Sequence, residues 1–158
     1  MSGLPASAQK VQDAGLALGL DIAVREMAGQ TRTAQEAAAA CGVTVGQIVK
    51  SLVFLGIDSG KPYLLLVSGD NRVNEKGVAQ HLGETLKRPD ADAVRALTGF
   101  AIGGIPPFGH DTPLATYMDR DLLRYDAIWA AAGTPRAVFR TEPEKLQAAA
   151  RAILIDVK

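Results

Sequence analysis

Cysteine occurs once in this chain, at Cys41, and histidine twice, at His81 and His110. One cysteine rules out an intrachain disulfide, and one thiol with two imidazoles falls short of a typical structural zinc site. Long apolar runs are also missing. None nears the roughly 18 residues of a membrane span, and the first residues lack the charged-then-apolar order of a secretion signal. Neither sign of charge is in excess, with Lys plus Arg and Asp plus Glu both at 17. Such a chain exerts no general pull on nucleic acid or an anionic membrane, so any polyanion must be gripped locally. The expected home is the reducing cytoplasm, with neither membrane nor DNA as partner. Several catalytic signatures are absent as well. No Lys-Ser or Lys-Thr pair follows the glycines of residues 98–110, their spacing does not fit a dinucleotide fingerprint, and there is no Gly-x-Ser-x-Gly elbow. His110-Asp111 and the distant His81 give too few ligands for metal-dependent hydrolysis, so neither metal nor cofactor is expected.

What is present is the balance of a globular protein: 47% hydrophobic and 22% charged residues over 158 positions. That length fits a single domain over 1–158 with a sizeable core. Ser7 is placed to cap a helix to about residue 18, with Val11, Leu16 and Leu18 on its apolar face. Residues 21–26 read as a short strand. Thr33 with Glu36 has capping-box spacing and opens an Ala-rich helix over 34–40, and Thr44 with Gln47 repeats that spacing. The segments 48–57 and 62–68 predict an antiparallel hairpin joined by Asp58-Ser-Gly-Lys61. Neither arm alternates cleanly, which is the pattern of strands covered on both faces. Asn74 and Asp90 cap helices over 75–82 and to about 97. Residues 98–110 read as a strand delivering a rigid loop. Strands follow at 114–118, 127–132 and 137–140, the last two as a hairpin, with a polar turn or short helical segment over 119–125. Thr141 with Glu144 is a third capping box for a helix to about 151, and 153–157 closes the chain as a strand. The fold class is α/β, a mixed and mostly antiparallel sheet with short helices around it.

Three features carry chemistry. Lys50 interrupts the apolar Ile48-Val-Lys-Ser-Leu-Val; an ammonium there must snorkel from a sheet edge or point into a cleft, because burying it unpaired costs several kcal/mol. Asp70 and Arg72 lie in a polar turn directly after the second arm, and strand ends are common places for sites. Gly103-Gly-Ile-Pro-Pro-Phe-Gly-His110 combines glycines with Pro106 and Pro107, which fix φ and cannot donate. Such a loop can hold backbone N–H groups around a carbonyl or phosphate oxygen, although an ordinary tight turn has the same composition.

With Ala132-Gly-Thr-Pro-Arg-Ala-Val-Phe after them, these segments resemble the YbaK/EbsC family, aminoacyl-tRNA deacylases related to the editing domain inserted in bacterial prolyl-tRNA synthetase. The likeness covers almost the whole chain. It rests on the lysine of the first long strand and on the Gly-x-x-x-Pro loop, here Gly103 to Pro107. It implies a sheet curved toward a barrel and a metal-free trans-editing hydrolase that removes a wrong small amino acid from mischarged tRNA, above all tRNA(Pro). The partners it implies are the tRNA acceptor end and prolyl-tRNA synthetase. By the same resemblance Lys50 contacts the terminal nucleotide or the reacting ester, and backbone N–H groups around Gly103, Gly104 and Gly109 position the carbonyl. Pro106 departs from the small polar residue of many relatives, which bears on the width of the pocket that Pro106 and Pro107 shape. His110, Asp70 and Arg72 join the candidates because they sit near the same strand ends. Two other readings stay open: a module that binds an aminoacyl group or nucleotide end without turnover, and a hydrolase of another small aminoacyl ester.

Overall fold

A computed structural model describes residues 3–158 and shows a mixed α/β architecture. The centre is the expected hairpin, β2 (Ile48–Gly56) with β3 (Pro62–Ser68), paired antiparallel from Val49 with Ser68 to Leu55 with Pro62. Around it one sheet is built from β1 (Arg25–Glu26), β4 (Leu86–Lys87), β5 (Ala115–Asp119), β6 (Ile128–Ala131), β7 (Ala137–Thr141) and β8 (Ile153–Ile155). The strand order is β1-β7-β6-β2-β3-β5-β8, with β4 on β2. Four pairings are antiparallel and three, β2 with β6, β3 with β5 and β5 with β8, are parallel. The sheet is mostly antiparallel and stays open rather than closing into a barrel, because β1 and β8 are its two ends.

The uninterrupted apolar run of β3 is explained by burial on both faces. Leu64 and Leu66 enter a core shared with α1 (Ala6–Ala17), α4 (Ala91–Thr98) and α5 (Pro143–Ala150). Tyr63, Leu65 and Val67 pack on the other side with Val78 of α3 (Glu75–Leu82). On that same side, Ala34, Ala37 and Ala38 of α2 (Ala34–Cys41) cover Ile48, Trp129 and Val138. The small alanines let the helix sit close to the sheet. Among the described residues no helix is long and apolar enough to cross a membrane.

Local signals were met unevenly. The capping box of Thr33 and Glu36 forms, as does that of Thr44 and Gln47, and Asn74 and Asp90 cap their helices through side-chain oxygens. The third box does not form. Thr141 is held in β7 opposite Ile128, and α5 instead begins with Pro143 at its first turn, where a missing N–H costs nothing. Ser7 lies inside α1, whose N-cap is Pro5. That helix buries Ala8, Val11 and Gly15, while Leu16 and Leu18 are 53% and 45% exposed. Spacing of three and four residues selects the buried stripe, and 16 and 18 fall off it. The strand expected within 98–110 is absent. Its apolar residues are separate anchors instead, with Phe100, Ile105 and Phe108 each buried in the α1 side core.

Candidate active site

The sheet is split beside Lys50. On one edge β2 pairs with β6 only at Ile48 and Val49, then with β4 at Leu55 and Gly56. Main-chain bonds alternate sides along such a strand. Gly56 N donates toward β3, to Lys61 O at 2.9 Å, and Ile57 N donates away from it, to Thr85 O at 2.8 Å. By that alternation Ser51 and Val53 turn their N–H and C=O groups into the split. A cleft of about 330 Å³ opens there. Its walls are Lys50, Ser51 and Leu52 of β2, the start of α2 with Arg32, the loop residues Ile102, Gly103 and Ile105, and an apolar side of Trp129, Ala130, Ala131 and Val138. The size is at the small end of ligand-binding cavities.

Lys50 is on an inner strand of the sheet, at the start of the split, and it lines the cleft. Its Nζ donates to Asn71 O at 2.5 Å. Burial lowers its pKa, Arg72 acts in the same direction, and Asp119 and Asp70 oppose them. The turn that receives this ammonium is itself anchored. Ser68 Oγ shares its one proton between Gly46 O at 2.6 Å and Asp70 Oδ1 at 3.0 Å, and Asp119, 2% exposed, accepts from Ser68 N and Asn71 Nδ2 through Oδ2.

Of the candidates from sequence, the structure brings Lys50 and Gly103 together in the cleft and places Asp70 and Arg72 close enough to bias the lysine's charge. Gly104, Pro106, Pro107, Gly109 and His110 do not line it. Gly104 N donates to Ala101 O at 3.0 Å, and Gly104 O accepts from Gly133 N at 2.8 Å, which docks the loop on the turn before β7. His110 Nε2 lies 2.7 Å from Pro106 O, edge-on to Phe100, and burial lowers its pKa. Sequence reasoning missed Arg32, Ser51 and Asp119. Ser51 carried a signal, a hydroxyl beside the lone lysine, and its Oγ is buried without a hydrogen-bond partner among the described residues. No group of three or more His, Cys, Asp or Glu among the described residues is arranged to hold a metal ion.

Cations and backbone donors fixed in a small cleft are able to stabilise charge that develops on a carbonyl or phosphate oxygen. Comparison with known proteins gives the substrate class. The aminoacyl-tRNA editing domain matches residues 28–149. This chain belongs to that family. As such it is an aminoacyl-tRNA deacylase, a hydrolase of the ester between amino acid and tRNA. A solved structure described as a candidate trans-editing enzyme for prolyl-tRNA synthetase is 50% identical, covers 99% of both chains and superposes with a TM-score of 0.93. The candidate Cys-tRNA(Pro)/Cys-tRNA(Cys) deacylase EbsC of Enterococcus faecalis is 29% identical over 72% of this chain and 70% of its own. The proline–tRNA ligase of Limosilactobacillus fermentum is 36% identical over 57% of this chain but only 16% of the ligase.

Proposed function

We propose that this chain is a metal-independent editing domain of the cytoplasm, one unit over 1–158, that clears a wrong small amino acid from tRNA(Pro). The observation that carries the reading is that Lys50 and Gly103 line one cleft beside the split in the sheet. The preference for tRNA(Pro), and for prolyl-tRNA synthetase as the partner that delivers it, is supported by what the similar structure, the deacylase and the ligase are named for.

In this reading the terminal adenosine enters with its aminoacyl ester pointing at Lys50. Water adds to the ester carbonyl, the ammonium and the loop's backbone favour the resulting oxyanion, and the ribose oxygen leaves with a proton. Ala130, Ala131, Val138 and Ile105 surround the amino acid with small or branched apolar groups. Asp70 and Arg72 set the charge of Lys50. Gly104, Pro106, Pro107, Gly109 and His110 hold the loop's shape from behind. The test is to offer tRNA(Pro) charged separately with alanine, cysteine, serine, threonine, aminobutyrate or proline and to follow loss of the ester. Rapid loss of one mischarged species with prolyl-tRNA spared is the expected result. Decay of every species at the protein-free rate refutes the tRNA(Pro) reading.

A further inference from the structure

Among the described residues only two charged side chains line the cleft, Lys50 and Arg32, and both are cations. In a chain with equal numbers of acids and bases, that local imbalance is a property of the site. The two differ in depth and in partners. Lys50 is half-buried and spends a hydrogen bond on Asn71 O, whereas Arg32, in the segment leading into α2, is exposed. Among the described residues the ion pairs join Lys10 to Asp111, Arg88 to Glu75, Arg120 to Asp156, Arg124 and Lys158 to Asp121, and Lys145 to Glu142, and none includes Arg32. Its stem lies over the glycine loop: a Cβ on Gly103 would stand 3.3 Å from both Arg32 Cγ and Nε. Arg32 therefore lies between the start of α2 and the loop at the mouth of the cleft, with no ion-pair partner among the described residues.

We propose that Arg32 binds a phosphate of the tRNA acceptor end, an assignment that rests on the deacylase reading above. The geometry of the substrate requires an anion there. A phosphodiester lies one ribose away from the reacting ester, so when the ester reaches Lys50 inside the cleft, the phosphate is left at its mouth. A guanidinium suits that position because its planar fork donates to two phosphate oxygens through two parallel N–H bonds, a geometry an ammonium lacks. One arginine at the mouth also answers how a chain without net charge grips a polyanion.

The experiment measures binding of uncharged tRNA(Pro) and steady-state deacylation of mischarged tRNA(Pro) across a KCl series, for wild type, Arg32→Ala and Arg32→Lys. Thermal melting confirms that the variants are folded. For Arg32→Ala we expect Kd and KM to rise about tenfold, with the log–log salt slope of binding smaller in magnitude by about 0.7, the loss of one contact to a single-stranded phosphate. Arg32→Lys keeps most of the slope and regains part of the affinity. Unchanged Kd, KM and slope in Arg32→Ala overturn the assignment, as does a loss confined to kcat. Should the wild type hydrolyse none of the mischarged tRNA(Pro), the tRNA(Pro) reading fails by itself, and the salt slope for uncharged tRNA(Pro) still decides Arg32. Absence of any tRNA binding by the wild type overturns both.

Discussion

Lys50 Nζ donates to the main-chain oxygen of Asn71 at 2.5 Å, tying the cation of the sheet's central strand to the turn that follows the neighbouring strand. The side chain of the same asparagine faces the other way and gives one hydrogen each to Asp119 and Asp121, both at 2.8 Å. A buried carboxylate thus fixes the turn, and the turn fixes the ammonium at the wall of the cleft.

Lys50→Ala is the direct test of that ammonium. Removing one preorganised group that meets developing charge costs a factor of about 100 to 1,000 in rate, and that loss is expected here in single-turnover deacylation. Stability should hold, because the substitution also removes a partly desolvated charge. A Lys50→Ala variant that deacylates at the wild-type rate would take Lys50 out of the chemistry.

The pH dependence follows from the direction of the Lys50 shift. Burial, with Arg72 adding to it, moves the lysine's pKa below its ordinary value. The charged form is the one that stabilises an oxyanion, so activity is full below the folded pKa and falls as pH rises through it, at lower pH than an unperturbed lysine would show. After subtraction of spontaneous hydrolysis, a profile from about pH 7 to about pH 11 covers that limb. Arg72→Ala removes a lowering neighbour and should carry the limb upward, while Asp70→Asn removes a raising one and should carry it downward. Limbs that stay together in all three proteins would show that another group titrates.

The central hairpin was legible because burial on both faces demands long apolar runs, which β3 has unbroken and β2 has interrupted only at Lys50 and Ser51. Lys50 was legible for the same reason, as the one charge in such a run. The capping boxes at Thr33 and Thr44 are local chemistry and formed as read; the one at Thr141 was overridden by a tertiary pairing, the bridge to Ile128. The segment 98–110 misled because apolar residues between glycines look like a strand, yet Phe100, Ile105 and Phe108 serve as plugs in the core. Arg32 was not legible at all. Nothing near residue 32 announces a site until the fold lays it across Gly103, and Asp119 becomes a support only when β5 pairs with β3.

Asp119→Asn tests whether that support matters. The carboxylate accepts from Ser68 N at 3.1 Å, Asn71 Nδ2 at 2.8 Å and Asp121 N at 2.9 Å, and it raises the pKa of Lys50. An amide in its place turns an NH₂ toward donors and leaves at least one buried hydrogen bond unmade, at a cost of about 2–3 kcal/mol. Denaturant melts should register that loss. If Asp119 also positions Lys50, kcat should fall with KM little changed and the alkaline limb should move downward. A destabilised protein with an unmoved limb would confine Asp119 to the fold.

Gly103→Ala separates backbone from contact. Gly103 has φ of +97°, a region where a Cβ is strained, and the added methyl would stand 3.3 Å from Arg32 Cγ and Nε. The arginine is flexible and exposed and can yield a few tenths of an ångström, so the strain should dominate. About 1–2 kcal/mol of stability is at stake, or roughly 3–6 °C in Tm for a domain of this size. The same cost should then appear in an Arg32→Ala background, since removing the neighbour does not relieve φ. Binding should behave differently. If Arg32 holds the phosphate and the added methyl displaces it, Gly103→Ala raises the Kd for tRNA in the wild type but adds little once Arg32 is gone. A double-mutant cycle additive in Tm and strongly non-additive in Kd is the expected pattern. Full additivity in both would mean that Gly103 and Arg32 act on the tRNA independently, and that the loop does not steer the arginine.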